Sequence, residues 1–243
     1  MNLADEYINR RERFGHWKDT ALMLRGEAVR NFTLMFLQMW NIDEQSTDFS
    51  AVNALPEPVG ASGYVMPYCD EPLDGDKVGE SVYVDMLYRA NRYVHIMTPY
   101  LILDGELEAA LKYAAERGID VKLILPGIPD KKAAYALAKS HYRLLTEAGV
   151  RIYEYTPGFA HAKVFVSDDV KAVVGTINLD YRSLYHHFEC ATYLYQTSCI
   201  VDVEADFQST LKKCRAVTPE SIKNEKLSYK LLGGLMKLIA PLM

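Results

Sequence analysis

The stretches YVHIM (residues 93–97), IDVKLIL (119–125) and VRIYEY (150–155) decide the fold of this chain. Each is short and rich in β-branched or aromatic residues, which is typical of buried strands. Asp104 and Asp130 follow the first two stretches, and each is a predicted N-cap of the helix after it. Strands that alternate with helices in this way predict a largely parallel sheet with right-handed crossovers.

The pattern changes to short strands after Gly158. AKVFVS (162–167), KAVVG (171–175) and CATYLY (190–195) are too close together for helices to connect them all, and Asp168-Asp169 predicts a tight turn. One more helix is predicted near residues 203–214. The predicted fold class is therefore α/β, with a mixed sheet flanked by helices.

The N-terminal part of the chain is predicted to be separate. Apolar residues recur at helical spacing within residues 1–41 and predict a helix that packs into a core; they are Val29, Phe32, Phe36, Leu37 and Trp40. Residues 42–63 are rich in Pro, Gly, Ser and acids, which is typical of a linker. We therefore expect a first segment over 1–41, a linker over 42–63 and a main domain over 64–243.

Composition limits the functional classes. The chain has 243 residues, of which 49% are hydrophobic, and a net charge of -5, so no general basic surface for nucleic acid is expected. Its four cysteines form no C-x-x-C pair, and we expect neither a disulfide nor a metal or other cofactor. No apolar run approaches the roughly 20 residues of a membrane-spanning helix.

The chemistry is concentrated in a few residues after VRIYEY. His161 and Lys163 are two residues apart, so on a strand their side chains point to the same face. The chain then returns through KAVVG, which can bring Thr176 and Asn178 beside them. Asp168 stands at odd spacing from His161 and past the end of the strand, so it is expected to lie outside this pocket.

These side chains suit a phosphoryl group. Lys163 and Asn178 can hold phosphate oxygens and stabilise developing charge. His161 can attack phosphorus or transfer a proton, because imidazole titrates near neutral pH. No metal is needed for this chemistry.

The joint pattern H-x-K-x4-D-x6-G-T-x-N, from His161 to Asn178, resembles the HKD motif of the phospholipase D superfamily. The surrounding YEYTPGFAHAKVFVSDD (153–169) and TPYLILDGEL (98–107) are similar to bacterial cardiolipin synthases, and the similarity extends over the whole chain. The implied fold is a phospholipase D-like mixed sheet: one complete half-domain, preceded by the end of another.

The resemblance also implies roles for individual residues. His161 would be a catalytic histidine, Lys163 and Asn178 would bind phosphate, and Thr176 would occupy the small hydroxyl position beside them. Asp168 would be the aspartate of the motif, with a mainly structural role. Glu189 would be the acid that hydrogen bonds the catalytic imidazole. His16 and His187 are further candidates for the pocket.

Members of this superfamily combine two HKD motifs in one active site, and this chain contains one H-x-K. Asn2 resembles the asparagine that ends the first motif, and Asp19 would orient the histidine of that motif. Three explanations stay open: a fragment, a subunit whose other half comes from another chain, or a homodimer that pairs two His161 residues. The last is the least compatible with residues 1–41.

The function implied by the resemblance is transfer of a phosphatidyl group between two phosphatidylglycerol molecules to form cardiolipin, through a phosphohistidine. His161 would act as the acid and base, with the role of nucleophile as the alternative, and the isolated chain would be inactive or very weak. The alternatives are a lipid hydrolase or nuclease of the same superfamily, or an inactive assembly partner. The implied location is the cytoplasmic face of the cell membrane, and the apolar tail from Leu227 to Met243 would either lie on the bilayer or dock on the protein.

Overall fold

The structure, a computed structural model, describes residues 4–44, 48–53 and 60–242. Ten strands are present in these ranges: β1 (His16–Lys18), β2 (Tyr64–Asp70), β3 (Tyr93–Met97), β4 (Asp120–Pro126), β5 (Arg151–Tyr155), β6 (Gly158–Ala160), β7 (Val164–Ser167), β8 (Lys171–Gly175), β9 (Glu189–Tyr195) and β10 (Cys214–Ala216).

The same ranges contain eight α-helices: α1 (Val29–Glu44), α2 (Val78–Arg89), α3 (Gly105–Glu116), α4 (Lys132–Glu147), α5 (Tyr181–Tyr185), α6 (Ile200–Leu211), α7 (Pro219–Lys223) and α8 (Leu227–Met236). Two 3-10 helices cover Ser50–Asn53 and Lys237–Leu242. We call the second of these the C-terminal 3-10 helix.

Eight of the strands form one mixed sheet in the order β10-β5-β4-β3-β7-β8-β9-β2. β3, β4 and β5 are parallel, whereas β7, β8, β9 and β2 continue the sheet in antiparallel pairs. The remaining two strands, β1 and β6, form a small parallel pair. The predicted fold class, an α/β fold with a mixed sheet, is confirmed.

Apolar side chains cover both faces of the large sheet. Leu107 and Leu145, from α3 and α4, belong to the core on one face, and Val203 and Phe207 from α6 belong to the core on the other. Because helices cover both faces, the central strands are buried almost without interruption. The sheet is thus a rigid frame for the loops at its ends.

One of the two predicted helix caps is correct. Asp104 is the N-cap of α3, where its carboxylate accepts a hydrogen bond from the backbone N–H of Leu107 at 2.8 Å. The prediction for Asp130 is wrong, since Lys131 is the N-cap of α4. The Asp130 carboxylate instead accepts a hydrogen bond from the hydroxyl of Tyr100 at 2.6 Å. The carboxylate is therefore engaged by the tyrosine and does not cap the helix.

The helix predicted in the N-terminal segment is present as α1, but its apolar residues are not a core. Phe36 and Trp40 are 54% and 53% exposed. The prediction of burial is wrong for these two residues and for Val29, which is 38% exposed, because helical spacing identifies an apolar face without identifying what covers it. The boundary between this segment and the main domain remains a prediction, although β1 pairs with β6 inside residues 64–243.

Asp168 holds the β7–β8 turn against the start of β3. Asp168 and Asp169 have positive φ angles of 58° and 60°, in a three-residue connection between the paired Ser167 and Lys171. The Asp168 carboxylate accepts the backbone N–H groups of Asn91, Arg92 and Tyr93 at 2.8–2.9 Å. Burial alone would raise the pKa of Asp168, but these three donors lower it below its usual value.

Replacing Asp168 by Asn should lower the free energy of unfolding at pH 7 by about 1–2 kcal/mol, because charge-assisted hydrogen bonds to three amides are weakened. In the wild type this stabilisation is complete above the ordinary carboxyl pKa of 3.8 and is lost as the pH falls through the lower pKa of the folded state. Urea denaturation at neutral and acid pH measures both effects. Asp76→Asn, at an exposed position, is the control; equal losses in the two variants would contradict this role.

Candidate active site

β1 fixes the backbone at His161. The residue follows β6 directly, and its N–H donates to the carbonyl oxygen of Lys18 at 2.7 Å. The neighbouring Trp17 is held in turn by Asn9, whose side chain bonds both the N–H and the carbonyl of Trp17. Residues 161–163 therefore form a short connection between β6 and β7 that is held by hydrogen bonds to β1, where the sequence predicted a continuous strand.

Lys163 and Asp19 contact opposite sides of the His161 ring. The ammonium Nζ of Lys163 lies 2.9 Å from Nε2, and the Asp19 carboxylate lies 3.1 Å from Nδ1. An ammonium group has no acceptor, so Nε2 accepts and Nδ1 carries the proton that is donated to Asp19. Nζ also donates to the carbonyl oxygen of His161 at 2.5 Å, which keeps the lysine folded back towards Nε2 of the ring.

Two aromatic rings complete the walls around His161. The centroids of Trp17 and Phe159 lie 4.8 Å and 5.9 Å from the centroid of the imidazole. Trp17 was missed by the sequence analysis, and only its position beside the candidate His16 could have drawn attention to it. These rings exclude water from one side of the imidazole, so its interactions with charged groups are stronger than at an open surface.

Burial controls the protonation of the central pair. Burial lowers the pKa of His161, the charge of Lys163 lowers it further, and Asp19 only partly reverses this. Burial likewise lowers the pKa of Lys163 to about 8, despite nearby carboxylates. Burial alone would raise the pKa of Asp19, but His161 and Lys163 lower it overall. The site at neutral pH is thus a neutral imidazole between a cation and an anion.

In the structure the carboxylate that hydrogen bonds His161 belongs to Asp19, and not to Glu189 as the sequence resemblance implied. Glu189 lies at the start of β9, where Oε1 is 3.8 Å from Nδ1 of the exposed His187. Burial raises its pKa, and hydrogen bonds with Thr176 and Ser183 only partly offset this. Glu189 is close enough to Lys163 for its charge to raise the pKa of that lysine. It is therefore a second carboxylate at the same site.

Thr176 and Asn178 follow the return strand β8. β7 and β8 are antiparallel, and the N–H of Gly175 donates to the carbonyl oxygen of Lys163 at 3.3 Å. The hydroxyl of Thr176 bonds the backbone of Cys190, and the amide Nδ2 of Asn178 donates to the hydroxyl of Ser183 at 2.8 Å. Oδ1 of Asn178 is buried without a hydrogen-bond partner in the described part of the chain. Phosphate binding by either residue stays a prediction.

The other candidates lie elsewhere. His16 is exposed, and its Nδ1 is 3.0 Å from the hydroxyl of Tyr155, so the structure does not bring it to His161. Asp168 lies at the far end of β7, as expected from its spacing. Asn2 falls outside the described residues. Over residues 4–44, 48–53 and 60–242, no group of three His, Cys, Asp or Glu side chains is arranged to hold a metal ion.

Residues 83–211 match the family model described as "Cardiolipin synthase, PLD-like domain". The match covers more than half of the chain and includes His161, Lys163 and Asn178. The chain therefore belongs to the phospholipase D-like family of cardiolipin synthase domains. The family resemblance drawn from the sequence is confirmed.

Relatives extend the similarity to the whole chain. An uncharacterized protein of Streptococcus mutans serotype c is 63% identical over 244 residues, covering 100% of this chain and 53% of that protein. Cardiolipin synthases of Geobacillus sp. and Alkalihalophilus pseudofirmus are 36% and 34% identical over 100% of this chain and 49% of their own lengths. The chain thus spans about half the length of these relatives.

Two solved structures share the fold. Phosphatidylserine synthase of Haemophilus influenzae superposes with a TM-score of 0.60 at 18% identity, covering 78% of this chain and 49% of that one. A phospholipase D family member from Salmonella typhimurium superposes with a TM-score of 0.55 at 16% identity, covering 64% of this chain and 99% of that one. At this identity the likeness supports the fold alone.

Asp19 and Lys163 should shift the titration of His161 in opposite directions. Asp19→Asn removes a carboxylate that stabilises the imidazolium, so the pKa of His161 should fall further. Lys163→Met removes a neighbouring cation and should raise it. NMR titration of labelled histidine measures both, with His161→Gln to assign the resonance. A shift of the same sign in both variants would contradict the arrangement described above.

Proposed function

We propose that this chain contributes half of an active site that transfers a phosphatidyl group between two phosphatidylglycerol molecules and forms cardiolipin. The observation that carries the proposal is the cluster of His161, Lys163 and Asp19, in a chain of the cardiolipin synthase domain family. A single phosphodiester anion would lie against Nζ of Lys163 and Nε2 of His161, with the amide of Asn178 as a further donor.

His161 would act as the acid and base, and the nucleophile would be a histidine of the other half. That nucleophile attacks phosphorus, the bond from phosphorus to the glycerol oxygen breaks, and protonated His161 supplies the proton to the departing glycerol. The hydroxyl oxygen of the second phosphatidylglycerol then attacks phosphorus of the phosphohistidine and neutral His161 accepts the hydroxyl proton. The bond from phosphorus to the histidine nitrogen breaks, which releases the nucleophile. The negative charge of the bound phosphodiester offsets that of Lys163, which favours protonation of the ring before the first step.

Contacts across the predicted boundary support a site made of two halves. Asp19 belongs to the segment assigned to the first half, yet its partner is His161 of the second. If the two halves are equivalent, Glu189 of the second half would orient the histidine of the first. This reciprocal arrangement accounts for Glu189, a partly buried carboxylate whose pKa is raised by burial, while Asp19 is the carboxylate that bonds His161.

The spacing of apolar residues in α1 also supports a second half. In α6, Ile200, Val203 and Phe207 are buried against the large sheet. Val29, Phe32 and Phe36 recur in α1 at the same intervals, but Val29 and Phe36 are exposed. A second sheet, contributed by the other half, would cover α1 as the present sheet covers α6.

The purified chain alone should form no cardiolipin from phosphatidylglycerol, because the proposed nucleophile would belong to the other half. Co-expression with the remaining half of the Streptococcus mutans relative, which this chain matches at 63% identity, should restore activity. His161→Ala in the restored complex should lower the rate about 1,000-fold. Mass spectrometry of lipid products measures this, and it also separates cardiolipin from the phosphatidic acid that hydrolysis would give.

Activity of the isolated chain that His161→Ala abolishes would contradict the two-half proposal. A homodimer with two His161 residues would also give that result, and the molecular mass in solution would identify it. If the restored complex formed only phosphatidic acid, the reaction would be hydrolysis and not the proposed transfer.

Glu189 should act as a positioning residue in that complex. Glu189→Gln should lower kcat about 100-fold, with a smaller change in KM, because the amide cannot stabilise a protonated histidine. The pH–rate profile should move with it, which a merely structural role would not cause. Glu106→Gln, on the exposed side of α3, is the control. An unchanged pH profile in Glu189→Gln would contradict the reciprocal arrangement.

A further inference from the structure

The last two helical elements expose a continuous row of leucines. Leu227, Leu231, Leu235, Leu238 and Leu242 recur every three or four residues along α8 and the C-terminal 3-10 helix, and each is between 59% and 79% exposed. In α8, Leu227, Leu231 and Leu235 recur every four residues and therefore lie along one side of the helix. Leu238 and Leu242 are the exposed leucines of the 3-10 helix that follows. We call these five side chains the leucine face. An exposed apolar patch of this kind marks a surface that binds a partner or a membrane.

The opposite side of the same helices is docked on the protein, which fixes the direction of the leucine face. Gly233 is buried so closely against α4 that a Cβ atom there would lie 2.4 Å from the carbonyl oxygen of Ala136. The rings of Tyr229 and Tyr135 meet edge to face at 5.8 Å. Ala240 packs into a small core with Leu137 of α4. The tail therefore docks on the protein and still presents the leucines outward.

The charged residues of the tail itself have one sign. Residues 226–242 contain three lysines, Lys226, Lys230 and Lys237, and no acidic residue, although the whole chain has a net charge of -5. The nearest acid along the chain, Glu225, is paired with Lys139. A cavity of about 620 Å³ beside α8 is lined by four cations, Lys139, Arg143, Lys223 and Lys230, and by two acids, Glu147 and Glu225, which pair with Arg143 and Lys139. An apolar face bordered by lysines matches an anionic bilayer, where acyl chains lie beneath phosphate groups.

The leucine face is also connected to the candidate active site. Nε2 of His186 lies 3.2 Å from the carbonyl oxygen of Pro241 in the C-terminal 3-10 helix. His186 ends α5, and Ser183 of α5 accepts the amide hydrogen of Asn178. Two hydrogen bonds and one short helix thus link the face to a residue that would bind phosphate.

We propose that the leucine face is a membrane-binding surface that inserts into the interfacial region of an anionic phospholipid bilayer. It holds the chain at the interface, with α5 and the candidate site beside the headgroups. The helices lie along the surface: within the residues that the structure describes, no helix is long and apolar enough to cross a bilayer. Binding to the bilayer is independent of the chemistry proposed for His161, so either proposal can fail without the other.

Vesicle flotation with the full chain tests the proposal. The wild type should bind vesicles that contain phosphatidylglycerol more tightly than vesicles of phosphatidylcholine alone, and added salt should reduce that preference. The triple variant Leu231→Asn, Leu235→Asn, Leu238→Asn should bind at least about tenfold more weakly, because three side chains no longer leave water on binding. Since all three are exposed in the folded protein, circular dichroism and Tm should change little.

A matched control substitutes three equally exposed apolar residues outside the leucine face. Met23→Asn, Leu73→Asn and Val201→Asn change residues that are 61–83% exposed and should leave vesicle binding unchanged. Equal binding by the leucine variant and the wild type, or no binding of the wild type to either kind of vesicle, would overturn the proposal. The proposal would also be overturned if the wild type were an oligomer, the leucine variant were a monomer, and both bound vesicles equally. The leucine face would then contact a second copy of the chain.

Discussion

The parallel pairing of β1 with β6 is the constraint on which the candidate site depends. β1 contributes one carbonyl oxygen, that of Lys18, to the backbone at His161, and the next residue supplies the carboxylate that holds the ring. The ammonium group of Lys18 is itself fixed by Asp206 of α6 at 2.7 Å. The three-residue strand β1 thus connects α6, on one face of the large sheet, with the imidazole of His161 at the end of that sheet.

The same pairing makes the electrostatics of the site possible. A lysine is seldom buried unless its charge is compensated, and Lys163 is only 8% exposed. Its partial compensation comes from Asp19 and Glu189, two carboxylates far apart in sequence. Because Lys163 remains largely desolvated, an added phosphate anion would find a donor that is already oriented and has little water to lose. A surface lysine on a flexible side chain would have to be ordered and dehydrated at each binding event.

The sequence predicted the central part of the fold because its signals are local. Three strands separated by helices of ordinary length, with Asp104 as a cap, permit few topologies. The failures involve contacts between distant segments. Asp19 and His161 are 142 residues apart, and no spacing rule selects Asp19 over Glu189 as the partner. Tyr100, far along the chain from the helix it affects, likewise takes the carboxylate of Asp130.

Burial was the other quantity that local patterns could not supply. The apolar spacing of α1 is as regular as that of α6, yet Phe36 is exposed where Phe207 is buried. The difference lies in what packs against each helix, which the spacing of apolar residues does not report. The average charge misleads for the same reason: a chain with a net charge of -5 places a cation at the candidate site and three lysines in an acid-free tail. Anionic partners respond to the potential at the surface they meet, and within a Debye length of about 8–10 Å that potential is set by neighbouring side chains.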